Sequence, residues 1–260
     1  FFFEFAADGY MLAMLLAALA VRLSRIGEKR VGFSVLAALC LCFSCGIYQA
    51  YVSFALLLSV CYFAWELLRD RYSMKEYLRW IGKQVLIYGC GMLAYWIIWK
   101  LCLHFQNAAA SGYQGINTLG QISAASLLHA VRETGVVLAR FFFGGNVMKY
   151  GWTGYAVMNL VFLLLAALVL ICAVIKQGVQ KKPGHLLLVL LCLLASPVFA
   201  CVWMYLSPDV GYHMLMLQSL CVLYLFVLFL SDRYFSKSLR TFSVLFFLVL
   251  VFRFTLQAND

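Results

Sequence analysis

The chain has 260 residues, of which 65% are hydrophobic, 17% aromatic and only 12% charged, with 20 Lys and Arg against 10 Asp and Glu. At a mean hydropathy of +0.94 there is too little polar surface to solvate a water-soluble domain of this size, which excludes one and selects a membrane protein. The net charge of +10 falls between apolar runs, where it reads as an orientation signal toward anionic lipid and not as a nucleic-acid footprint.

Apolar runs of roughly 17 to 25 residues cross a hydrocarbon core about 30 Å thick, and eight such spans are predicted, at 9–23, 31–47, 49–67, 83–103, 154–175, 185–206, 210–230 and 241–258. The first is short, and the sequence opens at Phe1 with neither an initiator Met nor a signal-peptide pattern, so a preceding segment is expected. The run from Val31 to Leu68 is too long for one helix. It is interrupted by Cys45-Gly46-Ile47-Tyr48-Gln49 and is read as a tight hairpin of two spans.

Between the fourth and fifth spans, residues 104–153 far exceed the few residues that join neighbouring helices. Within them, Gly112-Tyr113-Gln114-Gly115 and Asn117 form an exposed turn region. From Ile122 to Phe143 an apolar side (Leu127, Leu128, Val131, Val136, Leu138, Phe142) alternates with Arg132, Glu133 and Arg140, the pattern of an interfacial amphipathic helix with Gly135 as a point of break. That helix either anchors the chain or steers an amphiphilic substrate. Beyond residue 154 the spans are interrupted only by Ser196-Pro197, read as a tolerated kink.

Fifteen of the 20 basic residues fall in alternate gaps: Arg22 to Arg30, Arg69 to Lys83, Lys176 to Lys182, and Arg233 to Arg240. The positive-inside rule makes those gaps cytoplasmic. The opposite, outer face then carries Glu4 and Asp8, the Tyr48-Gln49 hairpin, the 104–153 loop and the Ser207 to His213 turn.

Ten cysteines lie within or at the edges of spans, where they serve as small apolar residues. Cys40, Cys42 and Cys45 do not make a metal set, because residues two apart point to different helix faces and no His is nearby. There is no phosphate-binding loop, no G-x-S-x-G elbow and no H-E-x-x-H pair. The short basic inner gaps leave no room for a nucleotide-binding domain.

Chemistry is therefore sought on the outer face. Glu4 and Asp8 are spaced i, i+4 and share one helix face. They are either solvated interfacial acids, or Asp8 faces a cavity and acts as a general base. Tyr48 and Gln49 offer a hydroxyl and an amide to a hydroxyl-rich ligand. His213 either donates to a phosphate or pairs with Asp209. Arg140 and Lys149, bases on the sparsely charged side, are the further phosphate partners. His104, His129 and His185 are read as surface residues.

The elements Phe5-x-x-Asp8-x-Tyr10 and Ser44-Cys45-Gly46-Ile47-Tyr48-Gln49-Ala50-Tyr51, joined by a basic inner turn, resemble the polytopic glucosyltransferases of the O-antigen serotype-conversion type, within the GT-C-like membrane glycosyltransferases. The likeness extends over most of the chain as span order, with G-I-Y-Q its most specific piece. It implies an all-α polytopic transmembrane bundle that moves a glucosyl residue from a polyprenyl-phosphate-linked sugar to a cell-envelope glycan acceptor at the outer face of a bacterial plasma membrane. It places Asp8 in an acidic site, joined by Glu4, with Tyr48 and Gln49 close by. Tyr113, Gln114, Arg140, Lys149 and His213 complete the expected substrate-binding set. No cofactor is called for, although a divalent ion stays open. The sequence departs from the family in lacking an earlier acidic outer loop, which would precede Phe1, and in having His213 where an Arg is expected to open the penultimate span. The alternative reading is a transporter or flippase for a lipid-linked saccharide.

Overall fold

A computed structural model describes residues 7–27, 30–108, 115, 118–146, 149–150, 154–207, 209–212 and 214–259. Among them ten α-helices follow in order: α1 (Ala7–Ile26), α2 (Val31–Ile47), α3 (Tyr51–Arg69), α4 (Met74–Phe105), α5 (Ala124–Phe143), α6 (Gly154–Lys176), α7 (Pro183–Ala200), α8 (Val202–Leu206), α9 (Cys221–Tyr234) and α10 (Lys237–Asn259). A two-stranded antiparallel ribbon, β1 (Gly144–Asn146) with β2 (Lys149–Tyr150), follows α5. The architecture is an all-α polytopic helical bundle.

Six helical segments of the described chain are long and apolar enough to cross a membrane, and α2 is a shorter apolar helix. Their outward faces agree with that medium. Val31, Val35, Leu39 and Phe43 recur every four residues along α2 and are 44–78% exposed, a continuous apolar stripe that water would penalise and lipid does not.

Where helices meet, the contact is made by small residues. Ala13, Ala17 and Ala20, spaced i, i+4, i+7 on α1, are buried against α2, and the Ser44 hydroxyl donates to the Ala13 carbonyl at 2.7 Å. Small side chains let the backbones approach and make dispersion contacts that apolar lipid cannot replace. Gly91 of α4 meets α2 in the same way, since a Cβ there would lie 2.9 Å from the Ala38 carbonyl oxygen. A second, larger core joins α3 with α6, α7 and α9 through Leu57, Leu67, Val169, Leu188, Leu220 and Leu230.

Five local expectations are corrected. α4 starts at Met74 instead of residue 83. Ser73 accepts from the Glu76 backbone while Glu76 accepts from Ser73, a capping box that starts the helix two turns early. At 32 residues it is about 48 Å long, longer than the hydrocarbon core. The 185–206 span breaks at Cys201 (φ −114°, ψ 30°) into α7 and α8, four residues beyond Pro197, which supplies no backbone N–H. The next span opens as a seven-residue 3-10 helix, Met214–Leu220, before α9. His185 is buried, edge-on to Tyr77 and 3.3 Å from Asp70, because α7 docks on the α3–α4 turn. α5 forms as expected but runs through Gly135 unbroken.

The basic turns have structural work at their own end of the bundle. Lys83 donates to the Gly27 carbonyl and Lys176 to the Tyr234 carbonyl at 2.5 Å, so each cation satisfies the end of a neighbouring helix. Asp70, in the left-handed region at φ 51°, caps α3 and holds Lys182 from the α6–α7 turn.

Candidate functional site

At the opposite end, the α2–α3 turn is a joint for four other elements. The Tyr48 backbone is extended (φ −154°, ψ 110°), and its N–H still donates to the Ser44 carbonyl at 2.9 Å, which closes α2 and turns the chain sharply. The Tyr48 ring packs on Tyr10 of α1 and Tyr51 of α3, with centroids 4.9 and 5.6 Å apart. Gln49 donates its side-chain amide to the Tyr95 hydroxyl of α4 at 2.5 Å and accepts, through its backbone carbonyl, from the Trp203 indole of α8 at 3.0 Å. Tyr51 donates to Gln218 of the 3-10 helix at 3.0 Å. The G-I-Y-Q element thus holds together α1, α4 and α8, and Tyr51 at the start of α3 adds the 3-10 segment.

Asp8 is exposed in the first turn of α1. The adjoining Gly9 faces Ile47, with an ideal Cβ 3.7 Å from the Ile47 Cγ2. Asp8 thus lies one residue before the contact of α1 with the α2–α3 turn, and two before Tyr10, which packs on Tyr48. Phe1 to Ala6, and so Glu4, lie outside the described residues, as do Tyr113, Gln114 and His213.

The long loop is tied to this end by the residues after Gln114. Gly115, at φ +68°, lies so close to the following turn that a Cβ would meet the Ser207 hydroxyl at 2.5 Å and the Asp209 carbonyl carbon at 2.9 Å. Only glycine fits there. Ser207 donates to the Gly115 carbonyl at 2.7 Å, Thr118 donates to it at 3.0 Å, and the Gly120 N–H donates to Leu206 at 2.8 Å.

Arg140 is half-buried in the last turn of α5, and Lys149 lies in β2. The C-terminal half of α5 is keyed into the bundle. Thr134 donates to the Tyr205 hydroxyl at 3.2 Å, and Phe142 stacks near Phe162 and Tyr224. The N-terminal half exposes Leu128 and Val131. Beside α5 an apolar cleft of about 290 Å³ lies between α3, α6, α7 and α9, walled by Val60, Phe142, Phe162, Pro197, Leu223 and Phe226.

Sequence reasoning placed Asp8, Tyr48 and Gln49 at one end, and the structure brings their elements together. It missed Tyr95, Trp203 and Gln218, the residues that hold the turn. An amide in an apolar run, as at Gln218, costs free energy unless partnered, and that was the available signal.

A bundle of helices long and apolar enough to cross a bilayer defines an integral membrane protein. Residues 1–252 match the Glucosyl transferase GtrII family, and the chain belongs to it. It is therefore a membrane glucosyltransferase, which requires a sugar donor and a glycan acceptor. No curated protein and no solved structure matches the chain.

Proposed function

We propose that the protein moves a glucosyl or similar hexosyl residue from a polyprenyl-phosphate-linked donor to a cell-envelope glycan on the extracytoplasmic face of a bacterial plasma membrane. The observation that carries this reading is the exposed Asp8 in the first turn of α1, two residues before the Tyr10 that packs on Tyr48, at the bundle end remote from the basic turns. With fifteen of the basic residues at the other end, the positive-inside rule favours an outer position for the site.

No soluble nucleotide sugar is available there, so a lipid carrier delivers the hexose with its phosphate at headgroup depth. Asp8 takes the proton from the acceptor hydroxyl as that oxygen bonds to the anomeric carbon. The bond from the anomeric carbon to the phosphate oxygen breaks, and the lipid phosphate leaves with the electron pair. Arg140, with Lys149 and His213 as further cations, offsets the charge on that phosphate. Glu4 shares the acidic role, Tyr113 and Gln114 contact the sugar, and the apolar cleft beside α5 accommodates the polyprenyl chain. Residues 104–153 act as the outer-face loop of a single transmembrane domain.

The break at Cys201 and the 3-10 helix after it favour a second reading, because transporters of lipid-linked saccharides use discontinuous helices. One experiment separates the two. Membranes holding the full-length protein receive labelled polyprenyl-phosphate glucose and glycan acceptor, with wild type compared to Asp8→Asn. Transfer in wild type that disappears in a well-folded Asp8→Asn protein supports the proposal. Equal transfer removes Asp8 from the chemistry, and a change of leaflet without a new glycosidic bond makes the protein a transporter.

A further inference from the structure

The basic end holds a cavity of about 350 Å³ between α1, α3 and the start of α4, distinct from the site above. Glu66 of α3 lines it and is only 2% exposed. Its Oε1 is crowded: the Tyr62 hydroxyl donates to it at 2.6 Å, Arg25 at 3.1 Å, and Arg69 pairs with it at 3.9 Å. Its Oε2 is buried without a hydrogen-bond partner among the described residues, and so is the indole N–H of Trp80, which lines the same cavity. An acceptor and a donor left unpartnered on two residues of one cavity lining ask for a ligand that supplies the complement of each. The lining is otherwise aromatic (Tyr62, Tyr72, Tyr77) and carries three cations, Arg25, Arg79 and Lys83, against two carboxylates, Glu66 and Glu76.

We propose that this cavity binds the phosphodiester headgroup of a lipid that carries free hydroxyls. A hydroxyl donates to Glu66 Oε2, a phosphate oxygen accepts from Trp80 Nε1 and faces Arg79, and one negative charge balances the surplus cation. Arg25 is not free for the phosphate, since it pairs with Glu66 and stacks 4.1 Å above the Tyr62 ring. Lys83 is tied to the Gly27 carbonyl. Arg79, exposed at the mouth, is the cation a ligand reaches first. Two sources share the required chemistry, a glycerol-headed phospholipid and a lipid-linked hexose phosphate. The site rests on the membrane reading of the bundle and is independent of Asp8.

The test is lipid retention by the full chain, read by native mass spectrometry after release from nanodiscs. Four probes compete: phosphatidylglycerol, phosphatidylmethanol, which has the same charge but no hydroxyl, phosphatidylethanolamine, and a polyprenyl-phosphate hexose. Wild type should retain one phosphatidylglycerol or one polyprenyl-phosphate hexose about tenfold better than phosphatidylmethanol, the worth of a hydrogen bond to a charged group. Whichever of the two is held more tightly identifies the source. Trp80→Phe and Arg79→Ala, which spare the Glu66 ion pair, should each reduce that retention severalfold. Equal retention of phosphatidylmethanol, preference for phosphatidylethanolamine, or variants that bind as wild type would overturn the assignment. Because no acceptor is present, the result is independent of whether the outer end transfers sugar.

Discussion

Gly91→Ala is expected to destabilise the contact between α2 and α4, whereas Gly89→Ala, two residues away, should stabilise the same helix. A Cβ at Gly91 would lie 2.9 Å from the Ala38 carbonyl oxygen and 3.0 Å from the Leu41 Cβ, both fixed to the α2 helix, so the helices must part by several tenths of an ångström. A Cβ at Gly89 meets nothing within 4 Å. Both changes gain helix propensity of about 1 kcal/mol, and only Gly91→Ala adds an overpacking cost of about 1–3 kcal/mol. The difference between the variants, about 1–3 kcal/mol, therefore isolates the close approach. Tyr95 lies one turn beyond Gly91 and holds Gln49 at 2.5 Å, so parting the helices also disturbs the α2–α3 turn. Reversible unfolding in mixed micelles, followed by helical circular dichroism, gives the stabilities, and sugar transfer in membranes gives the activity. If Gly91→Ala proves as stable as Gly89→Ala, the helices do not meet at Gly91 and the account of this interface is wrong.

Two further substitutions probe the ends of the bundle. Trp203→Phe removes the indole donor to the Gln49 carbonyl and should cost about 1 kcal/mol or somewhat more, with a matching loss of sugar transfer but normal membrane insertion; unfolding and transfer assays on one preparation check both. Asp70→Ala should be less stable than Asp70→Asn by about 1 kcal/mol, because Asn tolerates the left-handed backbone at φ 51° and keeps an acceptor for Lys182. Parallel micelle unfolding of the two variants decides it.

The spans were legible because lipid imposes length and apolarity on any segment that crosses it, and the G-I-Y-Q turn was legible because it interrupts a run too long for one helix. The early start of α4 was also written in the sequence, as Ser73-x-x-Glu76, but the polarity of that stretch reads equally as a loop until the capping box is noticed. The partners of Gln49 were not legible. Tyr95 and Trp203 are 46 and 154 residues away, and nothing in a local pattern says which helices adjoin.

Glu66 shows the same limit from the other side. It is the only carboxylate in the predicted 49–67 span, and an acid at that depth persists only where it is paired or used. That much is a statement about sequence. Its pairing with Arg25, 41 residues away, and the lack of a partner for its second oxygen among the described residues follow only from how α1 and α3 are placed. A span-by-span reading gives the cost of each intramembrane polar group, and packing decides which neighbour meets that cost. At Tyr51 the partner is Gln218, whereas at Glu66 Oε2 the described chain supplies none. That difference is why the α2–α3 turn reads as a structural joint and the basic-end cavity reads as a place for a ligand.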